Sequence, residues 1–291
     1  MALTVLANPG AGDEQSAALA DALAEAGIDA AVEEVEGSDI AARAAELAKR
    51  GDRTVAVAGG DGSIGAAAGA LAGTKTALGI LPLGTLNHLA RDLRIPFDLK
   101  EAAAILAGGQ RRQIDIADLN GRPFVNNSAI GLYPLMVVDR DMQRHRLGRS
   151  KRLAMLVASF RTLFRFHDHR LRLRIDDSEE ELVDTPLLFV GNNDYRLAFP
   201  AAGKRERLDE GRLCVLVMRK KGVPGLIAAT FRALLGLTRP DDMIQIEDVT
   251  RLRVSSGSSM LKVSLDGETQ RLEPPLDYRI RPGALTVIAP A

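Results

Sequence analysis

The chain has 291 residues, 46% of them hydrophobic and 26% charged: enough for about two domains with a real core, and too apolar for a disordered chain. Its 38 Lys and Arg balance 38 Asp and Glu, which excludes a generic polyanion binder, because affinity for phosphate backbones needs surplus positive charge. The single cysteine, Cys214, excludes an internal disulfide framework and a multi-cysteine zinc site, and it suits a reducing compartment.

The zero balance is a cancellation. Residues 1–48 hold ten acids against Arg43, a charge of −9, and residues 140–174 hold eleven bases against Asp141 and Asp168, a charge of +9. No stretch has the basic lead and apolar centre of a signal peptide, or the roughly 18 apolar residues of a membrane helix, so a cytoplasmic protein is expected.

Up to about residue 110 the pattern alternates. Residues 3–7 form a short apolar run ending at Asn8-Pro9-Gly10, and residues 13–26 an Ala-rich helix stopped by Gly27. Residues 28–35 read as a second strand, and Ser38 can cap a helix that Gly51 ends. A buried strand at 54–58 leads into Gly59-Gly60-Asp61-Gly62 and a small-residue helix at 63–72. A strand at 76–81, the turn Pro82-Leu83-Gly84-Thr85 and a helix at 86–93 complete the series. Such alternation predicts a parallel sheet with helices on its faces. From about residue 111 the texture changes to β-type runs at 113–119, 123–126, 171–175, 187–190, 213–218, 243–246, 252–254, 261–265 and 285–288, with helical stretches at 151–166 and around 223–235. These predict a sandwich or barrel-like second domain. The expected division is an α/β domain over 1–119 and a β-sandwich over 120–291, with the C-terminal tail able to dock back on the first.

Three loops follow strand ends. Gly59-Gly60-Asp61-Gly62-Ser63 reads either as a tight turn or as a phosphate cradle, where bare backbone approaches a ligand and helix-start N–H groups favour anions. There Asp61 is suited to the magnesium that accompanies a nucleotide phosphate. Asn8-Pro9-Gly10-Ala11-Gly12 supplies half a dinucleotide fingerprint, but Gln15 stands at its third glycine position. Pro82-Leu83-Gly84-Thr85-Leu86-Asn87 makes the third loop, and the P-loop pattern Gly-x-x-x-x-Gly-Lys-[Ser/Thr] is absent. Near the C-terminus, Asp266-Gly267-Glu268 reads as a hairpin turn or as a general base.

In their order and spacing, Asn8-Pro-x-x-Gly12, Gly59-Gly-Asp-Gly-Ser63, Pro82-x-Gly-Thr-x-Asn87, Phe124-Val-Asn-Asn-x-x-x-Gly131 and Asp266-Gly-Glu268 resemble the diacylglycerol kinase catalytic-domain family, which is related to sphingosine kinases. The resemblance implies ATP-dependent phosphorylation of a lipid hydroxyl, on an NAD-kinase-like α/β domain joined to a β-sandwich. Asn8, Gly12, Gly59, Gly60, Asp61, Gly62, Ser63, Gly84, Thr85 and Asn87 would then hold ATP and Mg2+. Asp266 would be the base, with Glu268 as its carboxylate neighbour. Two positions depart from the family: Ala11 replaces its usual Ser, and Glu210 replaces an Asp tied to a structural magnesium, so Glu210 is a candidate metal ligand. An NAD-kinase-like enzyme and a catalytically silent lipid- or nucleotide-binding regulator are the alternatives.

The partner implied is a lipid at a membrane surface, not a nucleic acid, and a homodimer stays open. Apolar residues of 151–166 recur at helical spacing, with Lys151, Arg152, Arg161 and Arg165 off that face. Such a helix either packs on the second domain or lies on anionic lipid, which would bring residues 140–174 to the inner face of the membrane.

Overall fold

The structure is a computed structural model that describes residues 3–8, 13–131, 169–196, 204–219 and 242–291, together with Gly225 and Arg232. The helices expected over 151–166 and 223–235, and residues 140–168 of the basic segment, lie outside the described residues apart from Gly225 and Arg232, which are helical. The chain divides into two compact units, Met1–Ile116 with Arg207–Glu210 and Arg281–Ala291, and Ala117–Glu206 with Gly211–Ile280.

The first unit runs β1 (Leu3–Ala7), α1 (Asp13–Glu25), β2 (Ala30–Glu34), α2 (Ile40–Arg50), β3 (Thr54–Gly59), α3 (Asp61–Leu71), β4 (Ala77–Pro82), α4 (His88–Asp92) and α5 (Leu99–Gly108). Its strands lie in the order β2-β1-β3-β4, all parallel. Val55, Ala56, Val57 and Ala58 are fully buried. That is the unbroken apolar run of a strand covered on both faces. A Cβ at Gly79 of β4 would collide with Cδ1 of Leu106, so the missing side chain lets α5 pack directly on the strand. The last strand of the chain, β16 (Leu276–Ala289), adds to this sheet beside β4, with Thr286 opposite Ala77 and Val287 opposite Leu78, again parallel.

Helix starts differ from the sequence reading. Asp39, not Ser38, occupies the N-cap of α2 and its side chain makes no capping bond, whereas Gly51 ends the helix in the left-handed conformation as expected. Helix α3 begins at Asp61, two residues before the expected start, because Gly60 is extended (φ −92°, ψ −175°) and serves as its N-cap. Helix α5 was not expected. Asp98 caps it by accepting from the N–H groups of Lys100 and Glu101, each at 3.0 Å.

The second unit holds two antiparallel sheets. One runs β12 (Met243–Val249), β11 (Leu213–Met218), β10 (Leu187–Asn192), β7 (Asn127–Gly131), β14 (Leu261–Leu265) and β15 (Glu268–Leu272). The other places the first part of β16 beside β13 (Arg251–Ser256), then β8 (His169–Ile175) and β9 (Glu181–Thr185). Strand β6 (Arg122–Phe124) pairs with the end of β5 (Gln110–Leu119). Alternate residues make the core. Leu171, Leu173, Leu252, Val254, Leu276 and Tyr278 point inward against Ile130, Leu188, Val190, Val215, Leu261 and Val263. This is the sandwich the sequence predicts.

The outward residues of the second sheet are largely arginine. Register sets Arg251 opposite Arg279, and Arg253 opposite both Asp277 and Arg174. Acids flank these arginines: Asp277 lies 3.4 Å from Arg253, Asp118 3.4 Å from Arg279 and Glu180 3.6 Å from Arg174.

Candidate active site

The loops after β3 and β4 meet as bare backbone. A Cβ built on Gly84 would lie 2.7 Å from the Cα of Gly60, closer than such atoms come, so position 84 must lack a side chain for the two loops to approach this closely. At Gly59 a Cβ would come within 2.9 Å of the Ser63 Cβ, which lets the first turn of α3 fold down over the end of β3, with Ser63 buried. Gly60 offers no side chain to cap the helix, and Ile64 makes the first intrahelical bond, back to the Gly60 carbonyl at 3.0 Å. The N–H groups ahead of Ile64 are the ordinary helix-start donors that suit an anion, and the dipole adds to this.

Asn87 shapes the second loop. Its Oδ1 accepts from the Gly84 N–H at 3.1 Å, its Nδ2 donates to the Gly84 carbonyl at 2.9 Å, and its backbone is left-handed (φ 48°). Both ends of this buried amide are therefore committed to Gly84, and Asn87 acts on the loop's shape. Asp61 joins the loops: its Oδ1 accepts from the His88 N–H at 2.6 Å. Oδ2 carries no hydrogen bond among the described residues and is the atom available to a cation. Asn8, at the end of β1, donates its N–H to the Ala58 carbonyl at 3.3 Å, next to Gly59. Thr85 and Gly62 are exposed, and Gly12 lies outside the described residues.

In the second unit Asp266 and Gly267 form the two-residue turn between β14 and β15, both with positive φ (46° and 89°). The hairpin reading and the functional reading share this residue. The Asp266 side chain accepts three backbone N–H groups: Val125 on Oδ2 at 2.8 Å, and Asn126 and Asn127 on Oδ1 at 2.7 and 3.1 Å. Oδ1 is thereby saturated and Oδ2 keeps one acceptor position. Burial pushes this carboxyl above the ordinary aspartate range, against the three N–H donors and the Arg205 cation, which pull it down. Glu268, on the far side of the turn, is exposed.

The residue that sequence reasoning missed is Arg205. It stands in the charged run Lys204-Arg205-Glu206-Arg207, which reads as solvated surface, yet it is only 5% exposed. Its guanidinium bonds the Val125 and Asn192 carbonyls and Oδ1 of Asn126, and lies 5.5 Å over the Tyr195 ring. No feature of the sequence around it marks it out.

For a metal, no group of three His, Cys, Asp or Glu side chains comes together among the described residues, Glu210 included. Magnesium fits this arrangement only in its usual nucleotide-bound form, held by one or two carboxylates with phosphate oxygens and water as its other ligands. Asp61 is the described carboxylate that meets that need at the loops.

Residues 2–119 match the model of the diacylglycerol kinase catalytic domain. Relatives extend the likeness: a diacylglycerol kinase of Staphylococcus aureus is 26% identical over 271 residues, 91% of this chain and 85% of its own. A Chromohalobacter salexigens protein named "Probable lipid kinase YegS-like" is 28% identical over 88% of this chain and 82% of its own. A protein of that same name from Cronobacter sakazakii is 37% identical, but the match spans only 38% of each chain. Among solved structures, a Bacillus anthracis diacylglycerol kinase superposes with a TM-score of 0.72 at 20% identity, covering 99% of this chain and 96% of that one. An Archaeoglobus fulgidus NAD kinase in complex with ATP gives 0.52 at 11% identity, covering 99% and 92%. The likeness to these two solved structures is one of fold, which this chain shares with both.

Proposed function

We propose that the protein is a lipid kinase that moves the γ-phosphoryl group of ATP to a lipid hydroxyl, with a diacylglycerol-like acceptor. The observation that carries the reading is the bare-backbone meeting of the Gly60 and Gly84 loops beside the carboxylate of Asp61. Bound ATP with Mg2+ supplies the phosphoryl group and neutralises its charge. The helix-start donors after Gly60 and the backbone of the Gly84 loop bind and orient phosphate, and Asp61 Oδ2 holds the cation. Asp266 Oδ2 takes the proton of the acceptor hydroxyl as its oxygen attacks the γ-phosphorus and the bond to the β,γ-bridging oxygen breaks, releasing ADP, while Oδ1 stays fixed to Asn126 and Asn127. A lipid acceptor calls for a peripheral encounter with the membrane. In support, no helix among the described residues is long and apolar enough to span one, and Arg170, Arg172 and Arg174 point outward from β8.

One assay tests this. The protein is incubated with labelled ATP and magnesium and offered diacylglycerol, phosphatidylglycerol or a sphingoid base in mixed micelles, or NAD in solution. Label in a diacylglycerol-like lipid is expected, and its loss in Asp61→Asn and Asp266→Asn. Label in NAD alone defeats the lipid reading, and label in nothing favours the regulator.

A further inference from the structure

One peptide group, the amide between Val125 and Asn126, is held at both ends by charge. At its oxygen Arg205 Nη1 donates to the Val125 carbonyl at 2.5 Å, and at its nitrogen the Asn126 N–H donates to Asp266 Oδ1 at 2.7 Å. Arg205 grips the same segment again through Nη2, which donates to Asn126 Oδ1 at 2.9 Å. Two further donors converge there: Asn192 Nδ2 on the Val125 carbonyl at 3.0 Å and the Tyr195 hydroxyl on the Asn126 carbonyl at 3.1 Å.

Neutral donors already bond these carbonyls, so the chain segment does not need a cation merely to satisfy them. A guanidinium withdrawn from water carries a desolvation cost that only good geometry offsets. What the charge adds is direction. The cation sits on the oxygen side of the amide and the carboxylate on its N–H side, so the peptide dipole lies between opposite charges and each hydrogen bond strengthens the other. Asp266 stands on a two-residue turn with left-handed backbone, and its own backbone anchor is the N–H bond to the Asn127 carbonyl at 2.9 Å. The orientation of the carboxylate is thus set by the 125–127 segment.

We infer that Arg205 is the positioning residue for Asp266: through the Val125–Asn126 amide it fixes the carboxylate so that the open position of Oδ2 is turned to the acceptor. The inference rests on the reading of Asp266 as the base.

The test measures kcat and KM in the mixed-micelle assay for Arg205→Met, Arg205→Lys, Asp266→Asn and the double variant Arg205→Met/Asp266→Asn. Arg205→Met should lower kcat on the order of 10²-fold, the cost of misplacing a reacting group by about 1 Å, with KM for ATP within about twofold. Arg205→Lys should recover part of that loss, as should guanidinium ion added at millimolar concentration to Arg205→Met. The double variant should be no slower than Asp266→Asn alone, because a positioning residue has nothing left to position. Full kcat in Arg205→Met overturns the inference. So do losses that multiply in the double variant, since they mark a residue that only supports the fold. If Arg205→Met fails to fold, Arg205→Lys carries the test: a KM increase at unchanged kcat overturns the inference, and a kcat loss that vanishes in the Asp266→Asn background supports it. Full activity in Asp266→Asn removes the base reading itself, whereas an inactive Asp266→Asn beside a fully active Arg205→Met removes only the role of Arg205.

Discussion

The N–H of His88 donates to Oδ1 of Asp61 at 2.6 Å, so the first residue of α3 is tied to the first residue of α4 across 27 positions of sequence. One oxygen of the carboxylate thus joins the loops, and the proposed function gives the other to a cation. The two functions separate by mutation. Asp61→Asn keeps an acceptor for His88 and should melt within about 2 °C of the parent, but lose at least about 100-fold in turnover because the charge is gone. Asp61→Ala should lose the activity and, in addition, about 1 kcal/mol of stability. Thermal unfolding alongside the kinase assay distinguishes the pair, and an active Asp61→Asn would show that the charge is not needed.

Gly84→Ala brings a methyl against the Gly60 Cα and, at 2.6 Å, against Oδ1 of Asn87. Backbone on one side leaves little room to yield, so a loss of about 1–3 kcal/mol is expected, together with weaker ATP binding. Gly257→Ala is the control: a Cβ there meets nothing within 4 Å, and its stability should stay within about 0.5 kcal/mol of the parent. Chemical denaturation of both variants tests the contrast.

Asn87 combines a left-handed backbone with two bonds to Gly84. Asn87→Ala loses both bonds and keeps the strain, for about 2–3 kcal/mol in all, while Asn87→Gly loses the bonds but relieves about 1 kcal/mol of strain. The expected order of melting temperature is therefore Asn, Gly, Ala. The reverse order for Gly and Ala would mean that the strain is not real.

Much of this fold is legible from the chain because its signals are local. Val55–Ala58 is apolar on both faces, as a strand covered on both sides must be, and Leu252 and Val254 alternate with Arg251 and Arg253 as a half-exposed strand must. The failures have physical causes. Gly59-Gly60-Asp61-Gly62 looks like loop throughout, yet only Gly59 and Gly60 escape the helix, because a glycine in extended conformation can cap one as well as interrupt one. Strand β9, Glu-Leu-Val-Asp-Thr, sits at a sheet edge and has no alternation to betray it. Pro282-Gly283 suggests a break, but β16 runs through it, with Gly283 at φ 59° and its N–H on Asp115 at 2.8 Å. At the candidate site, the motif glycines and acids announce themselves, while Arg205 depends on partners 13 to 80 residues away and on a burial that composition does not report.

Acid should act through Asp266. Because burial raises its pKa in the native state, the stability this group contributes is fully present below the unfolded value of about 3.9 and is lost as pH rises through the higher folded value. The difference in unfolding free energy between the parent and Asp266→Asn should therefore vary with pH across that window and be flat above it. A base works ionised, so turnover should fall on acidification with an apparent pKa above the ordinary aspartate value. A limb in kcat at or below about 3.9 would contradict this.

On the outer face of the second sheet, Arg251 and Arg279 are directly opposite across antiparallel strands. Like charges so placed repel, so Arg251→Thr, a good strand former, should stabilise the protein by about 0.2–1 kcal/mol at low salt. The gain should shrink at 1 M salt, where the Debye length is about 3 Å. Denaturation midpoints at the two salt concentrations check both statements, and a destabilised variant would show that Arg251 packs rather than repels.

The two ends of β16 keep different company, Leu276–Ile280 in the second unit and Thr286 and Val287 beside β4 in the first. Synthesis runs in the other direction. Residues 1–116 leave the ribosome first, but the flank of β4 where Leu285, Val287, Ile288 and Ala289 are buried stays bare until some 170 further residues have been made. The first unit is thus begun first and finished last. A chain halted within the sandwich holds the Gly60 and Gly84 loops and still lacks the strand that lines β4, so the nucleotide binding proposed for those loops should come only once β16 has been made.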